Sequence, residues 1–161
     1  MGVVMRADEV IALLGLEPLP GEGGWFRQTW IAPGSEPGAT PVGTAIYYLV
    51  TPDSWSALHR LQDDEVFHFY LGDPCTMLMA SPDGELQEIR LGSDIGAGEH
   101  VQHVVPAGWW QGTQLAPGGE WALLGTTMAP GYHPERFQLA TPAALEAFDT
   151  SVRERLEAFL P

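Results

Sequence analysis

His59-Arg60-Leu61-Gln62-Asp63-Asp64-Glu65-Val66-Phe67-His68-Phe69-Tyr70-Leu71-Gly72 carries the pattern on which the fold turns. From Glu65 to Leu71 the run has strand length and strand-forming side chains, broken only by Glu65 and His68. Side chains alternate across a strand, so Glu65, Phe67 and Phe69 share one face, and His68 and Tyr70 the other. A carboxylate on a face with two Phe is either open to solvent or buried with a partner, because an unpaired buried charge is costly. The spacing predicts that Glu65, Phe67 and Phe69 point inward and that His68 and Tyr70 point away. Gly72-Asp73-Pro74 then ends the strand in a turn.

The same short period extends on both sides. Trp25–Ala32, Gly43–Val50, Thr76–Ala80, Leu86–Leu91, Val101–Val105, Trp110–Leu115 and Trp121–Met128 read as further strands. Turn residues separate them: Pro33-Gly34, Pro52-Asp53, Pro82-Asp83-Gly84, Gly96 to Gly98 and Pro117-Gly118-Gly119. Closely spaced strands with no helical pattern between them predict an all-β sandwich or closed barrel rather than βαβ units. The ends are different. Asp8–Leu16 has the apolar spacing of a short amphipathic helix stopped by Gly15. Thr141-Pro142 opens a helical tail, with Thr as N-cap and Pro at the first position. Ser151 and Glu154 have capping-box spacing, so the tail is one kinked helix or two short ones. No linker or repeat divides the chain, which reads as a single domain over residues 1–161, with the barrel at about 25–130 and helical ends at about 7–15 and 141–160.

Composition excludes several classes of function. The chain has 161 residues and a formal net charge of −14, which argues against nucleic acid or an anionic membrane surface as partner. The longest apolar run, near Ala45–Val50, is too short to span a bilayer. The one cysteine, Cys75, permits no internal disulfide and no multi-Cys zinc site, and no cation near it in sequence would activate the thiol. Met1 to Arg6 lacks the apolar stretch of a secretion signal, and Arg6 stands where a myristoylation site has Ser or Thr. A cytoplasmic location is the expectation.

The polar residues gather in three stretches: His59 to Gly72, Gln102 to Gln111, and Ala129-Pro130-Gly131-Tyr132-His133. His59, Glu65 and Gly72, followed by Pro106-x-Gly108 and Gln111, have the spacing of the two motifs of cupins, small antiparallel β-barrels. Thr44–Ala57, Asp64–Pro74, Val104–Gln111 and Ala129-Pro130-Gly131 resemble more closely one cupin subfamily catalogued as a domain of unknown function. The resemblance covers roughly residues 6 to 148. It implies a cupin-type double-stranded β-helix, or jelly-roll barrel, often a homodimer, with a small-molecule pocket at one mouth and no particular reaction. Three positions depart from the metal-binding pattern. Leu61 stands where a second His would be, Gln111 where the last His would be, and Asp53 where a Gly would be.

His59 and Glu65 are therefore the candidate catalytic pair, with His68, Gln102, Trp110 and Gln111 as candidate ligand-binding residues. The resemblance leaves His59, Glu65 and a weak amide ligand at Gln111, fewer good donors than a transition metal ordinarily takes. A carboxylate beside a His fixes its tautomer and raises its pKa, so the pair suits general-base work without metal. His68 joins Glu65 only if a bulge turns it inward. Trp109 and Trp110 must face opposite ways, and one of them is expected to wall the pocket.

Three kinds of function fit. One is a metal-independent isomerase or epimerase acting beside a carbonyl, one a non-catalytic small-ligand binder, and one a metal-dependent cupin enzyme with a reduced ligand set. Sugar-nucleotide epimerases on this barrel meet a diphosphate, and here Arg60 is the only cation near the motifs. The aromatic strand Trp25–Ala32 is expected to cover the open sheet edge of a neighbour in a homodimer. Elemental analysis of protein purified without chelator should find Zn, Mn, Fe and Ni far below one per chain; near-stoichiometric metal lost in His59→Gln would refute the donor count.

Overall fold

The computed structural model describes residues 4–161; Met1 to Val3, which begin the leader and myristoylation reading, lie outside the described residues. Two antiparallel sheets form the barrel. The larger has strand order β1-β2-β3-β10-β5-β8, from Glu17–Pro18, Trp25–Ile31, Thr44–Val50, Ala122–Met128, Glu65–Gly72 and Gln102–Val105. The smaller has order β11-β4-β9-β6-β7, from Phe137–Leu139, Ser56–Leu61, Trp110–Leu115, Cys75–Ala80 and Leu86–Leu91. Helix α1, Ala7–Leu14, ends on Gly15 in the left-handed region, where Gly carries no steric penalty.

Three apolar clusters hold these parts. Tyr48, Phe67, Met77, Met79 and Leu124 meet between the sheets as the barrel core. Leu58, Leu78 and Trp110 face out from the smaller sheet and are covered by Leu145, Leu156 and Phe159 of the C-terminal tail. Val10 and Leu16 cover Leu49 and Leu123 on the outer face of the larger sheet. The alternation along a strand thus serves two cores at once: His59 points in while Leu58 points out, and Gln111 points in while Trp110 points out.

The seven outlying strands fall within two residues of their expected ends. Three strands were not expected: β1, β11 and, most consequentially, β4. Ser56-Ala57-Leu58-His59-Arg60-Leu61 has little strand preference, and it is a strand because β9 and β11 pair with its two edges. The tail resolves into a 3₁₀ turn, Pro142–Leu145, capped by the Thr141 hydroxyl, and helix α2, Thr150–Glu157. The N-cap of α2 is Asp149, so the Ser151–Glu154 spacing does not start it. Strand β2 pairs with β3 along its inner edge, and with β1 at Trp25 and Phe26. Among the described residues no helix is long and apolar enough to cross a membrane.

Gly72 closes β5 at φ +96°, and a Cβ there would lie 2.4 Å from the carbonyl oxygen of Trp121. Backbone cannot yield as a flexible side chain can, so strain and clash add. Gly72→Ala should cost about 2 kcal/mol or more, read as a lowered urea midpoint at unchanged slope; a midpoint equal to wild type would show that the turn relaxes freely.

Candidate functional site

At one mouth of the barrel a cavity of about 290 Å³ opens between the sheets. Leu19, Phe26, Ile46, Leu61, Met128 and Phe137 make most of its wall. Glu22, His59, Glu65, Thr126 and Tyr132 are among the polar residues that break it. Strand alternation delivers them: His59 and Leu61 face inward from β4, Glu65 from the start of β5, and Thr126 from β10. Glu22 comes from the connector between β1 and β2.

His59 is 2% exposed and its ring stacks on Phe137 with centroids 5.2 Å apart. Its Nδ1–H donates to the carbonyl oxygen of Ala57 at 2.8 Å. Its Nε2 lies 3.1 Å from Oε1 of Glu22. Glu65 is 8% exposed, and its Oε1 accepts a hydrogen bond of 3.0 Å from the Gln111 amide.

Burial governs the protonation of all three groups, because removing water penalises the charged form. Glu22 is pushed up to about 8 by burial, with the Tyr48 hydroxyl pulling the other way. Glu65 is also pushed up by burial, against the opposing pull of His59. His59 is pushed down by burial, with the Glu65 charge and the Ala57 carbonyl opposing. The outcome is a neutral imidazole between carboxyl groups shifted toward their neutral forms.

The candidate residues divide by strand parity. His59, Glu65 and Gln111 meet in the barrel interior, His59 opposite Gln111 in the β4–β9 ladder. His68, Gln102 and Trp110 do not reach the cavity, and Gln111, though interior, is not among its lining residues, which corrects their expected place in the pocket. His68 faces the outer side of the larger sheet, where its Nε2 meets the Thr127 hydroxyl at 2.8 Å and its Nδ1 meets the Gln102 amide at 3.4 Å. A register shift does occur between β5 and β10, but it falls at Leu123/Leu124, opposite Phe69 and Leu71 and past His68, so His68 stays outside. Trp110 is buried under the C-terminal tail, with the Arg60 guanidinium 4.7 Å from its ring. Trp109 packs toward the barrel core and is not among the cavity residues. Cys75 is buried and its thiol is pushed up to about 12, mainly by burial, which leaves it inert.

Two expectations about the His–Glu pair also change. The tautomer of His59 is set by a backbone carbonyl rather than by Glu65, and burial lowers the pKa that a neighbouring carboxylate was expected to raise. Glu22 was not a candidate at all. Its one sequence signal is that it is the only charged residue between Pro18 and Gly24, in a segment that otherwise reads as a turn.

The donor set does not fit a transition metal. Nε2 of His59 is committed to Glu22, one oxygen of Glu65 to Gln111, and carboxyl groups shifted toward neutrality are poor ligands. Among the described residues, no group of three or more His, Cys, Asp or Glu is arranged to hold a metal ion.

Two twisted antiparallel sheets closed over an interior pocket define the cupin class. Residues 8–140 match the family described as Cupin superfamily (DUF985), and the chain belongs to that family. It is 28% identical over 128 residues to the uncharacterized protein YML079W of Saccharomyces cerevisiae, a match spanning 69% of this chain and 64% of the yeast protein. The crystal structure of protein SO0799 from Shewanella oneidensis superposes with a TM-score of 0.89 at 31% identity, covering 98% of this chain and 99% of that one. A Leishmania major protein superposes with a TM-score of 0.88 at 26% identity, covering 97% and 99%.

The raised pKa of Glu22 makes stability depend on pH. A carboxyl that binds its proton more tightly folded than unfolded stabilises the fold below its folded pKa, and that contribution is lost as pH rises through about 8. Lowering pH from 8 to 6.5 should therefore add roughly 1 to 2 kcal/mol, before ionisation of His59 in the unfolded chain begins to offset it. Urea unfolding at the two pH values should show this gain in wild type and little of it in Glu22→Gln; equal dependence in both would place the effect elsewhere.

Proposed function

We propose that this chain is a metal-independent, isomerase-like enzyme that binds a small uncharged molecule and moves a proton beside its carbonyl group. The observation that carries the reading is the burial of three ionisable side chains, His59, Glu65 and Glu22, together on an otherwise apolar cavity. Folding does not favour such burial, since each group is stripped of water, and perturbed ionisable groups that converge in a cleft are what acid–base chemistry requires. Removing a proton from carbon needs a base near neutrality, and placing charge on the carbonyl oxygen needs a donor; burial has shifted these groups toward both tasks.

Charge supports an uncharged ligand. All the chain's cations are arginines, and each is occupied elsewhere: Arg6 with Asp8, Arg27 over Tyr47, Arg60 over Trp110, Arg90 with Glu99, Arg136 with Asp63, Arg153 with Glu157 and Arg155 with Glu88. None lines the cavity, so a phosphate or carboxylate on the ligand would meet carboxyl groups and no counter-charge. The volume, about that of ten water molecules, suits a compound of sugar size. The proposal includes a homodimer, since among the described residues nothing pairs with the outer edge of β2 beyond Phe26, which carries half-exposed Trp30 and Ile31.

The test follows carbon-bound hydrogen by NMR in D2O. The probes are uncharged aldoses and ketoses of about three to six carbons, chosen to fill the cavity, each beside its phosphorylated counterpart. An uncharged member should exchange hydrogen at the carbon next to its carbonyl, its phosphate ester should not, and His59→Gln should lower the rate by about 100-fold or more. Binding of these probes without exchange would replace the enzyme with a carrier, for which the apolar wall is equally suited.

A further inference from the structure

The two ring contacts of His59 fix where its protons lie. A carbonyl oxygen only accepts, so the 2.8 Å contact with Ala57 places a proton on Nδ1. In a neutral imidazole Nε2 is then a bare lone pair, and a carboxylate oxygen 3.1 Å away offers only more lone pairs. One proton must lie between them. It sits either on Glu22, leaving both groups neutral, or on Nε2, creating an ion pair. His59 is 2% exposed and Glu22 12%, and an ion pair so far from water has both ions to desolvate. The neutral arrangement is favoured.

We propose that Glu22 and His59 are a one-proton couple in which Glu22 holds the shared proton against Nε2 and presents its second oxygen to the ligand as the catalytic base. This deepens the isomerase reading and rests on it for the ligand. The connector is built to hold this geometry. The Ala57 N–H donates to the Glu22 carbonyl oxygen at 2.8 Å, so a single residue of β4 fixes both Glu22 and the His59 ring. The Tyr48 hydroxyl donates to the Gly23 carbonyl oxygen at 2.5 Å, and the Gly24 N–H donates to Ser54 Oγ at 2.7 Å. Gly23 and Gly24 have φ of +92° and +71°, and a Cβ on either would lie 2.4 Å from Trp55 O or the Tyr48 hydroxyl.

The step balances. The free oxygen of Glu22 takes the proton from the ligand carbon as the shared proton crosses from Oε1 to Nε2. The C–H electron pair stays on the ligand, whose carbonyl oxygen takes a proton from Glu65, giving an enediol. Glu22 then returns its proton to the neighbouring carbon, the hydroxyl proton on that carbon's partner returns to Glu65, and the shared proton goes back to Oε1. His59 acts through Glu22 and is a positioning residue; its imidazole takes up the charge when the carboxyl becomes the base.

Long-range 15N NMR of the full chain at pH 7 reads the couple without any ligand. Wild type should show one protonated ring nitrogen, Nδ1, and an Nε2 that accepts a hydrogen bond. In Glu22→Ala the Nε2 resonance should move downfield to the position of a free lone pair. An imidazolium signature in wild type, or an Nε2 resonance unmoved in Glu22→Ala, would overturn the proposal. Glu22→Gln guards against misfolding, since its amide still donates to Nε2. It should keep the wild-type ring signature and lose hydrogen exchange by about 100-fold or more on the sugar that exchanges with wild type. Exchange within a few-fold of wild type would remove Glu22 from the chemistry. If no sugar exchanges with wild type, the isomerase reading and the catalytic role of Glu22 both fail, while the ring signature still decides the shared proton.

Discussion

Ala57 offers its N–H to the carbonyl oxygen of Glu22 and its own carbonyl oxygen to the imidazole of His59. The first bond joins the connector between β1 and β2 to a strand of the smaller sheet, the second lies within that strand, and together they set how Glu22 and His59 meet. With Nδ1–H fixed on the backbone, the ring has one free lone pair, and its direction is set. With the Glu22 backbone fixed on the same residue, the carboxyl has one ring to meet. A side chain on Gly23 or Gly24 would clash with Trp55 O or the Tyr48 hydroxyl and strain the bond between Ala57 and Glu22.

Around that junction the barrel supplies an environment more than it supplies contacts. Leu19, Phe26, Ile46, Leu61, Met128 and Phe137 withdraw water from Glu22, His59 and Glu65, and the loss of water moves the two carboxyls up and the imidazole down. In water the same residues would be two carboxylates and a partly charged His. The arrangement therefore trades stability for poise, and the three apolar clusters offset the cost. The placement of every arginine outside the cavity belongs to the same design, since a cation there would pull a carboxyl back to its charged form.

Family membership and geometry bear on different questions. The match over residues 8–140 and the superposition on the Shewanella and Leishmania proteins establish the cupin barrel. They leave the chemistry to the side chains. Leu61 and Gln111 replace imidazoles of the metal-binding pattern, and Glu22, which that pattern does not mention, occupies the lone pair of the one histidine that remains in the cavity. His59, Glu65 and Glu22 form a set of buried ionisable groups, and that set is the basis of the isomerase reading.

The all-β fold, most strand positions, the helical ends and the inward direction of Glu65 and Phe67 were legible in the sequence, because periodicity and turn residues are local properties. That His59, Glu65 and Gln111 face one interior was legible from motif spacing, whereas the partner of the His59 ring, Glu22 rather than Glu65, was not. Strand β4 was not, because Ser56–Leu61 has weak strand preference and takes its form from two neighbours distant in sequence. The exclusion of His68, Gln102 and Trp110 from the cavity was decided by which face of each sheet another layer covers, and a sheet with structure on both sides buries either parity. Glu22 was the least visible of all. Nothing in Pro20-Gly21-Glu22-Gly23-Gly24 distinguishes a solvated turn from a buried connector until the chain folds and brings Ala57, 35 positions further on, into hydrogen-bonding contact with it. Local preference decides most of the elements and long-range pairing the rest, while burial, which only the tertiary structure sets, decides which ionisable groups lose their water.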